Sequence, residues 1–208
     1  MRCNLYYVHD PMCSWCWAFS PVYEQIVLGL PGKVQLITLL GGLASDSSEP
    51  MPQAMREFLQ TTWKKISERV PGTQFNFDFW SQCQPRRSTY PACRAIIAAR
   101  AQGESYEAVM IKAIQQAYYL RAMNPSDDET LLTLAIELGL DSEQFASLLN
   151  AAATQQQLER EIELGRSIGA EGFPSLILEC NGQLHRLRYS YTDPAPVLAQ
   201  IESLIGPG

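Results

Sequence analysis

The chain has 208 residues, a formal net charge of −6, and 46% apolar and 18% charged side chains, the balance of a globular protein long enough for one large domain or a core with an insertion. Acidity excludes a broad basic face for nucleic acid, Arg86-Arg87 being the nearest approach to one, and no apolar run reaches the ~18 residues of a membrane span. A secretory leader needs a basic start, an apolar stretch and a small-residue cleavage site; the opening MRCNLYYVHDPMC moves at once into a strand-like stretch that His9 and Asp10 interrupt, so the expected location is cytoplasmic, with no membrane partner.

Residues 4–8, NLYYV, are aromatic and β-branched and predict a strand; Ser14 to about Leu30 predicts a helix with Pro21 as a possible kink. After the Pro31-Gly32 turn, KVQLITLLGG predicts a second strand, apolar enough to be buried on both faces. Strand, helix and strand in so short a span imply a parallel βαβ unit. From Pro50 to Gly169 the spacing is helical. Met55, Phe58, Leu59, Thr62 and Ile66 share a face, as do Tyr106, Val109, Met110, Ala113 and Ala117, and later Leu131, Leu134, Ala135 and Leu138. These stripes are read as plain core. Ser126/Glu129 and Thr154/Gln157 are spaced as capping boxes, and Gly103 and Gly139 stand where helices would stop. SLILEC, Asn181-Gly182 and QLHRLRY predict a hairpin with a type I′ turn. DPAPVLAQIESLIG predicts a closing helix with Thr192 or Asp193 as N-cap.

The expected fold is therefore α/β, in the order β-α-β, helical block, β-β-α, with residues 49–154 as an all-helical insertion into a core made of 1–48 and 155–208. No long Pro/Gly/Ser linker frees the block, so it should pack on the core.

Six cysteines stand at 3, 13, 16, 83, 93 and 180. A lone CxxC in a reducing compartment points to catalysis or metal binding. Structural zinc wants four ligands, usually two such pairs; Cys83 and Cys93 are not so spaced, and His9 and His185 are the only histidines. Cys13 falls where a helix follows a strand. The free N–H groups and helix dipole there favour an anion, so its pKa should be depressed and it should be the attacking sulfur. Cys16, one turn on, is placed to resolve a mixed disulfide. Pro174, in EGFPSLIL, enters the late strand and is a candidate cis peptide that would expose the backbone of Phe173 to an extended substrate.

CxxC on the first βα turn, Gly-Phe-Pro-Ser before a hairpin and helices between the halves resemble the thioredoxin fold in its DsbA-like form. CSWCWAF, YPACRAIIAARAQG and AIQQAYYL resemble its cytoplasmic branch of predicted protein-disulfide isomerases. The resemblance implies a thiol-disulfide oxidoreductase with redox-active Cys13 as nucleophile, Cys16 as resolving thiol and Pro174 as the facing cis-proline. Two departures bear on tuning. Relatives often carry a buried carboxylate six residues before the nucleophile, where Tyr7 stands, and strong oxidants often carry His before the second cysteine, where Trp15 stands. Both losses point to a more reducing couple.

Met12, Trp15, Trp17 and Phe173 should collar the sulfurs, with Trp15 facing solvent. Met12, Trp15, Phe173 and Pro174 are the expected substrate-binding residues, and Trp17 and Phe19 are expected to pack inward. Expected substrates are disulfide-containing or unfolded polypeptides, with glutathione or a thioredoxin-type protein as electron donor and no bound cofactor. The alternative is a glutathione-dependent enzyme of the 2-hydroxychromene-2-carboxylate isomerase or kappa-class glutathione transferase type, against which the intact cysteine pair argues. A non-catalytic peptide-binding module is a third reading. The family arrangement also brings Cys3 and Cys180 close together as buried core thiols. His9 and Asp10 read as turn or capping residues, with a proton-exchange role for His9 as the sharper possibility. Arg86, Arg87 and Arg94 read as a solvated face, although a basic group near the cleft would suit a glutathione carboxylate.

Overall fold

The computed structural model describes residues 3–206. Strand β1 (Cys3–His9) leads through the turn at Asp10 into α1 (Ser14–Leu28) and then β2 (Val34–Leu40). Helices α2 (Gln53–Arg69), α3 (Phe79–Gln82), α4 (Tyr90–Arg100), α5 (Ser105–Leu120), α6 (Asp128–Glu137), α7 (Ser142–Leu149) and α8 (Ala152–Ser167) follow. β3 (Ser175–Cys180), β4 (Gln183–Arg186) and α9 (Ala195–Ile205) close the fold. The sheet order is β2-β1-β3-β4. β1 runs parallel to β2 and antiparallel to β3, and β3 is antiparallel to β4. This is the expected α/β architecture with helices inserted between its halves.

β1 is central, and its alternation sorts side chains to two layers. Leu5 and Tyr7 join Phe19, Val22 and Ile26 of α1 and Val197 and Ile201 of α9 in one core. Val8 faces the other way, against Gly165 of α8. The insertion builds a second core around the fully buried Trp63, and Met12 and Leu40 belong to it, so the block packs on the end of the sheet from which the Cys13 turn leaves. Burying side chains of this size contributes roughly 1.5–3 kcal/mol each.

α1 is continuous through Pro21. The Trp17 carbonyl, which a proline four residues on cannot reach, accepts from Ser20 Oγ at 2.8 Å instead. The hairpin turn is as expected: Asn181 and Gly182 have φ of 55° and 73°. At α9, the Asp193 carboxylate accepts from Ala195 N at 2.9 Å.

Several expectations are corrected. β2 is an edge strand with Gln35 exposed; an apolar run looks the same whether a strand is central or covered at an edge by helices. β4 ends at Arg186, short of the run through Tyr189. Neither capping box forms: Ser126 Oγ donates to Ser88 O, and Thr154 lies buried within α8. Arg94 is buried, gripping Asp46 with its two terminal guanidinium nitrogens (2.7 and 3.0 Å) and donating to Leu149 O from Nε (3.1 Å). Cys3 and Cys180 are joined as a disulfide across directly opposed positions of β1 and β3, Cα–Cα 4.7 Å, the spacing of a non-hydrogen-bonded antiparallel pair. Finally, Phe58 is 63% exposed and Val109 44% exposed, so neither is core.

Candidate active site

The strand-to-helix turn sets Cys13 as the N-cap of α1, in extended conformation, with Trp17 N bonded to its carbonyl. Cys13 is 8% and Cys16 0% exposed, and both are free thiols. The Phe173–Pro174 peptide is cis, and Cys13 Sγ donates to Phe173 O at 3.6 Å. Residues 160 positions apart thus meet at one sulfur. The close approach depends on Gly41 after β2, where any Cβ would strike the Phe173 ring.

The two thiols are driven apart in acidity. Cys13 is held below the ordinary thiol range, first by the hydrogen bond from the Cys16 thiol and then by backbone N–H groups of Cys16 and Trp15, against burial and the Asp10 charge. Cys16 is pushed well up, first by burial and then by its hydrogen bond to Cys13 and the charge there. Of such a pair, Cys13 ionises first and Cys16 holds its proton more tightly.

Asp10 is the group that sequence reading undervalued. It is fully buried. Its Oδ1 accepts from Met12 N (2.8 Å), as a turn residue would; its Oδ2 accepts from Leu43 N (2.7 Å), Thr89 Oγ1 (2.7 Å) and Cys93 Sγ (3.6 Å). The carboxylate therefore ties the turn before Cys13 to the segment after β2 and to the start of α4. Burial raises its pKa, opposed by these four hydrogen bonds. Only its three-residue spacing from Cys13 signals this in the sequence.

His9 makes no hydrogen bond to either thiol. It is fully buried, parallel to the Tyr7 ring at 4.9 Å, with neither ring nitrogen hydrogen-bonded among the described residues. Burial first, and the charge of Arg100 second, lower its pKa to about 3. Tyr7, at the position of the absent carboxylate, stacks on Tyr23 at 3.9 Å.

The apolar collar differs from expectation. Met12 is buried, and Trp15 and Trp17 are half-buried. Trp15 lies between Tyr191 (5.0 Å) and the Arg69 guanidinium (5.9 Å); Trp17 stacks on Tyr119 and donates to Gln74 O at 3.1 Å. Phe19 is core. Ser14 accepts from Trp63 Nε1 at 3.0 Å, pinning the turn to α2. A cleft of about 540 Å³ opens over Cys13, with Met12, Trp15 and Phe173 in its lining and Phe58, Leu59 and Thr62 of α2 as one wall. Part of the helical face read as core thus lines this cleft, while Ile66 of the same face is fully buried and Met55 packs against the core. Arg86 and Arg87 line it as well, whereas the buried Arg94 does not.

Among the described residues no group of three or more His, Cys, Asp or Glu side chains is placed to hold a metal ion, and no helix is long and apolar enough to cross a membrane.

The family model for the DSBA-like thioredoxin domain matches residues 5–199. Among solved structures, a proposed protein disulfide isomerase from Nitrosomonas europaea superposes with a TM-score of 0.85 at 23% identity, over 99% of this chain and 98% of that one. The cytosolic disulfide reductase DsbM from Pseudomonas aeruginosa superposes with a TM-score of 0.79 at 25% identity, over 97% and 98%; DsbM has also been solved with GSH. A curated relative, the ClpXP adapter protein SpxH of Halalkalibacterium halodurans, is 25% identical over 84% of this chain, which spans 58% of that protein's length.

Proposed function

The chain belongs to the DSBA-like thioredoxin domain family, and from that premise we propose that Cys13 and Cys16 are the working dithiol of a thiol-disulfide oxidoreductase, with isomerase activity on protein or peptide disulfides. The observation that carries this reading is the geometry: Cys13 Sγ faces the Phe173 carbonyl oxygen at 3.6 Å at the start of α1, with Cys16 one turn behind, and the surroundings favour ionisation of Cys13 over that of Cys16. Met12, Trp15, Phe173 and Pro174 bound the substrate.

In the reducing direction the Cys13 thiolate attacks one sulfur of a disulfide R–S–S–R′. A Cys13–S–S–R bond forms and R′S⁻ leaves, taking a proton from solvent. Cys16 then gives up its proton and attacks Cys13 Sγ; RS⁻ departs and takes up that proton, leaving a Cys13–Cys16 disulfide. Two electrons pass to the substrate, and two glutathiones or one thioredoxin-type dithiol return them. Isomerisation is the same first step, followed by attack of another substrate thiolate on the substrate sulfur of the mixed disulfide, which forms the new substrate disulfide and expels Cys13 as the thiolate. The GSH-containing DsbM structure supports glutathione as donor, and its cytosolic description supports a cytoplasmic setting.

The test is trapping. With a disulfide-bonded peptide, Cys16→Ser should accumulate a mixed disulfide at Cys13, seen by mass spectrometry, and Cys13→Ser should accumulate none. A Cys16→Ser protein of unchanged turnover would favour the glutathione-dependent isomerase or transferase reading. The SpxH relatives favour a second reading, a protein-binding adapter; binding of a partner that survives loss of both cysteines would support it.

A further inference from the structure

The protein is acidic overall, yet the charges left uncompensated along the cleft are positive. Its lining holds Arg86, Arg87, Arg166 and Glu171. Arg86 is neutralised by Asp127 at 2.7 Å, and Glu171 by Arg186 at 2.6 Å. Among the described residues, Arg87 and Arg166 have no carboxylate partner within ion-pair distance. Arg87 is half-buried just before α4, close enough to the buried Tyr118 to act on its hydroxyl by charge, and Arg166 lines the cleft from α8. A half-buried guanidinium without a counter-ion is poorly solvated, and an incoming carboxylate would relieve that cost.

We propose that the cleft selects anionic disulfides, with Arg87 and Arg166 as the specificity-determining residues that receive a substrate carboxylate while a substrate sulfur meets Cys13. The inference rests on the oxidoreductase reading above and adds the charge class of its substrate. The same chemistry is offered by an acidic peptide and by a small carboxylated thiol such as glutathione. Between low-dielectric walls such as Met12 and Phe58, two like charges focus the field on the mouth of the cleft.

The test compares three small disulfides: dithiodipropionate (anionic), bis(2-hydroxyethyl) disulfide (neutral) and cystamine (cationic). The single-turnover rate of the fully reduced protein with each is divided by the rate of dithiothreitol with the same disulfide, which removes differences in leaving-group reactivity. The normalised order expected is anion, neutral, cation, with a span on the order of 10-fold at low ionic strength. The span should shrink several-fold in about 0.5 M salt. Arg87→Gln should cut the anion-to-neutral ratio, and Arg87→Lys should keep part of it. Arg166→Gln, on an exposed face of α8, gives a second variant that does not disturb the buried layer.

Glutathione disulfide and an Asp-flanked Cys-peptide disulfide are further arms. The one whose rate depends more on Arg87 identifies the source of the carboxylate. Equal normalised rates for the three charges, or an anion-to-neutral ratio unmoved by the double Arg87→Gln/Arg166→Gln change, would overturn the inference and leave the oxidoreductase reading intact. No reaction with any disulfide would overturn both.

Discussion

Cys13 Sγ lies 3.6 Å from the carbonyl oxygen of Phe173, and that approach is set by a third residue, Gly41. A side chain there would meet the Phe173 ring. Gly41→Ala should therefore displace the ring and its carbonyl from the sulfur. The expected outcome is a loss of about 10-fold or more in kcat/KM for disulfide reduction, since misplacement by about an ångström is that costly. Overpacking should cost about 1–3 kcal/mol of stability. Steady-state kinetics and urea unfolding on the same variant check both; unchanged kinetics would mean that the Phe173 contact has no part in turnover.

Asp10 makes the complementary prediction. Its charge opposes ionisation of Cys13, and its carboxylate collects four hydrogen bonds from three segments. Asp10→Asn should lower the Cys13 pKa further and shift the couple toward the oxidising side, as read by equilibration with glutathione buffers. It should also cost about 1–3 kcal/mol, because an amide cannot accept from every donor that now converges there. A purely structural role would change stability and leave the potential in place.

The buried His9 predicts acid sensitivity. Its folded pKa is lowered from 6.5 to about 3, so between those values the unfolded chain binds the extra proton. Stability contributed by neutral His9 is complete above about pH 6.5 and is lost as pH falls toward 3, by up to about 1.4 kcal/mol per pH unit. His9→Phe keeps a ring against Tyr7 and removes the titration. Its Tm should fall less steeply than that of the parent between about pH 6.5 and 4. Parallel Tm–pH curves would show that His9 is not responsible.

How far the sequence reveals this arrangement depends on the range of each signal. The turn carrying Cys13 and Cys16, the Asn181-Gly182 hairpin and the entry at Pro174 are local, because residue type dictates backbone geometry within a few positions. The resemblance carried by CSWCWAF and the Pro174 loop supplies the pairing of distant halves. Periodicity then says which residues of α2 share a face, and not whether that face meets core or open space; hence Phe58 has the spacing of a core residue and stands at the cleft. Three of the four partners of Asp10 lie 33, 79 and 83 positions away, beyond the reach of any local pattern. Arg94 misleads for the same reason: what makes an arginine worth burying is a carboxylate brought to it by another segment, here Asp46.

The division of labour between the two thiols is the central claim, and alkylation of the reduced protein as a function of pH tests it most directly. Mass spectrometry should show Cys13 modified first, with an apparent pKa below the ordinary thiol value, and Cys16 protected until the protein unfolds. A Cys13 that titrates as an unperturbed thiol, or a Cys16 that reacts as fast in the folded state, would contradict the account.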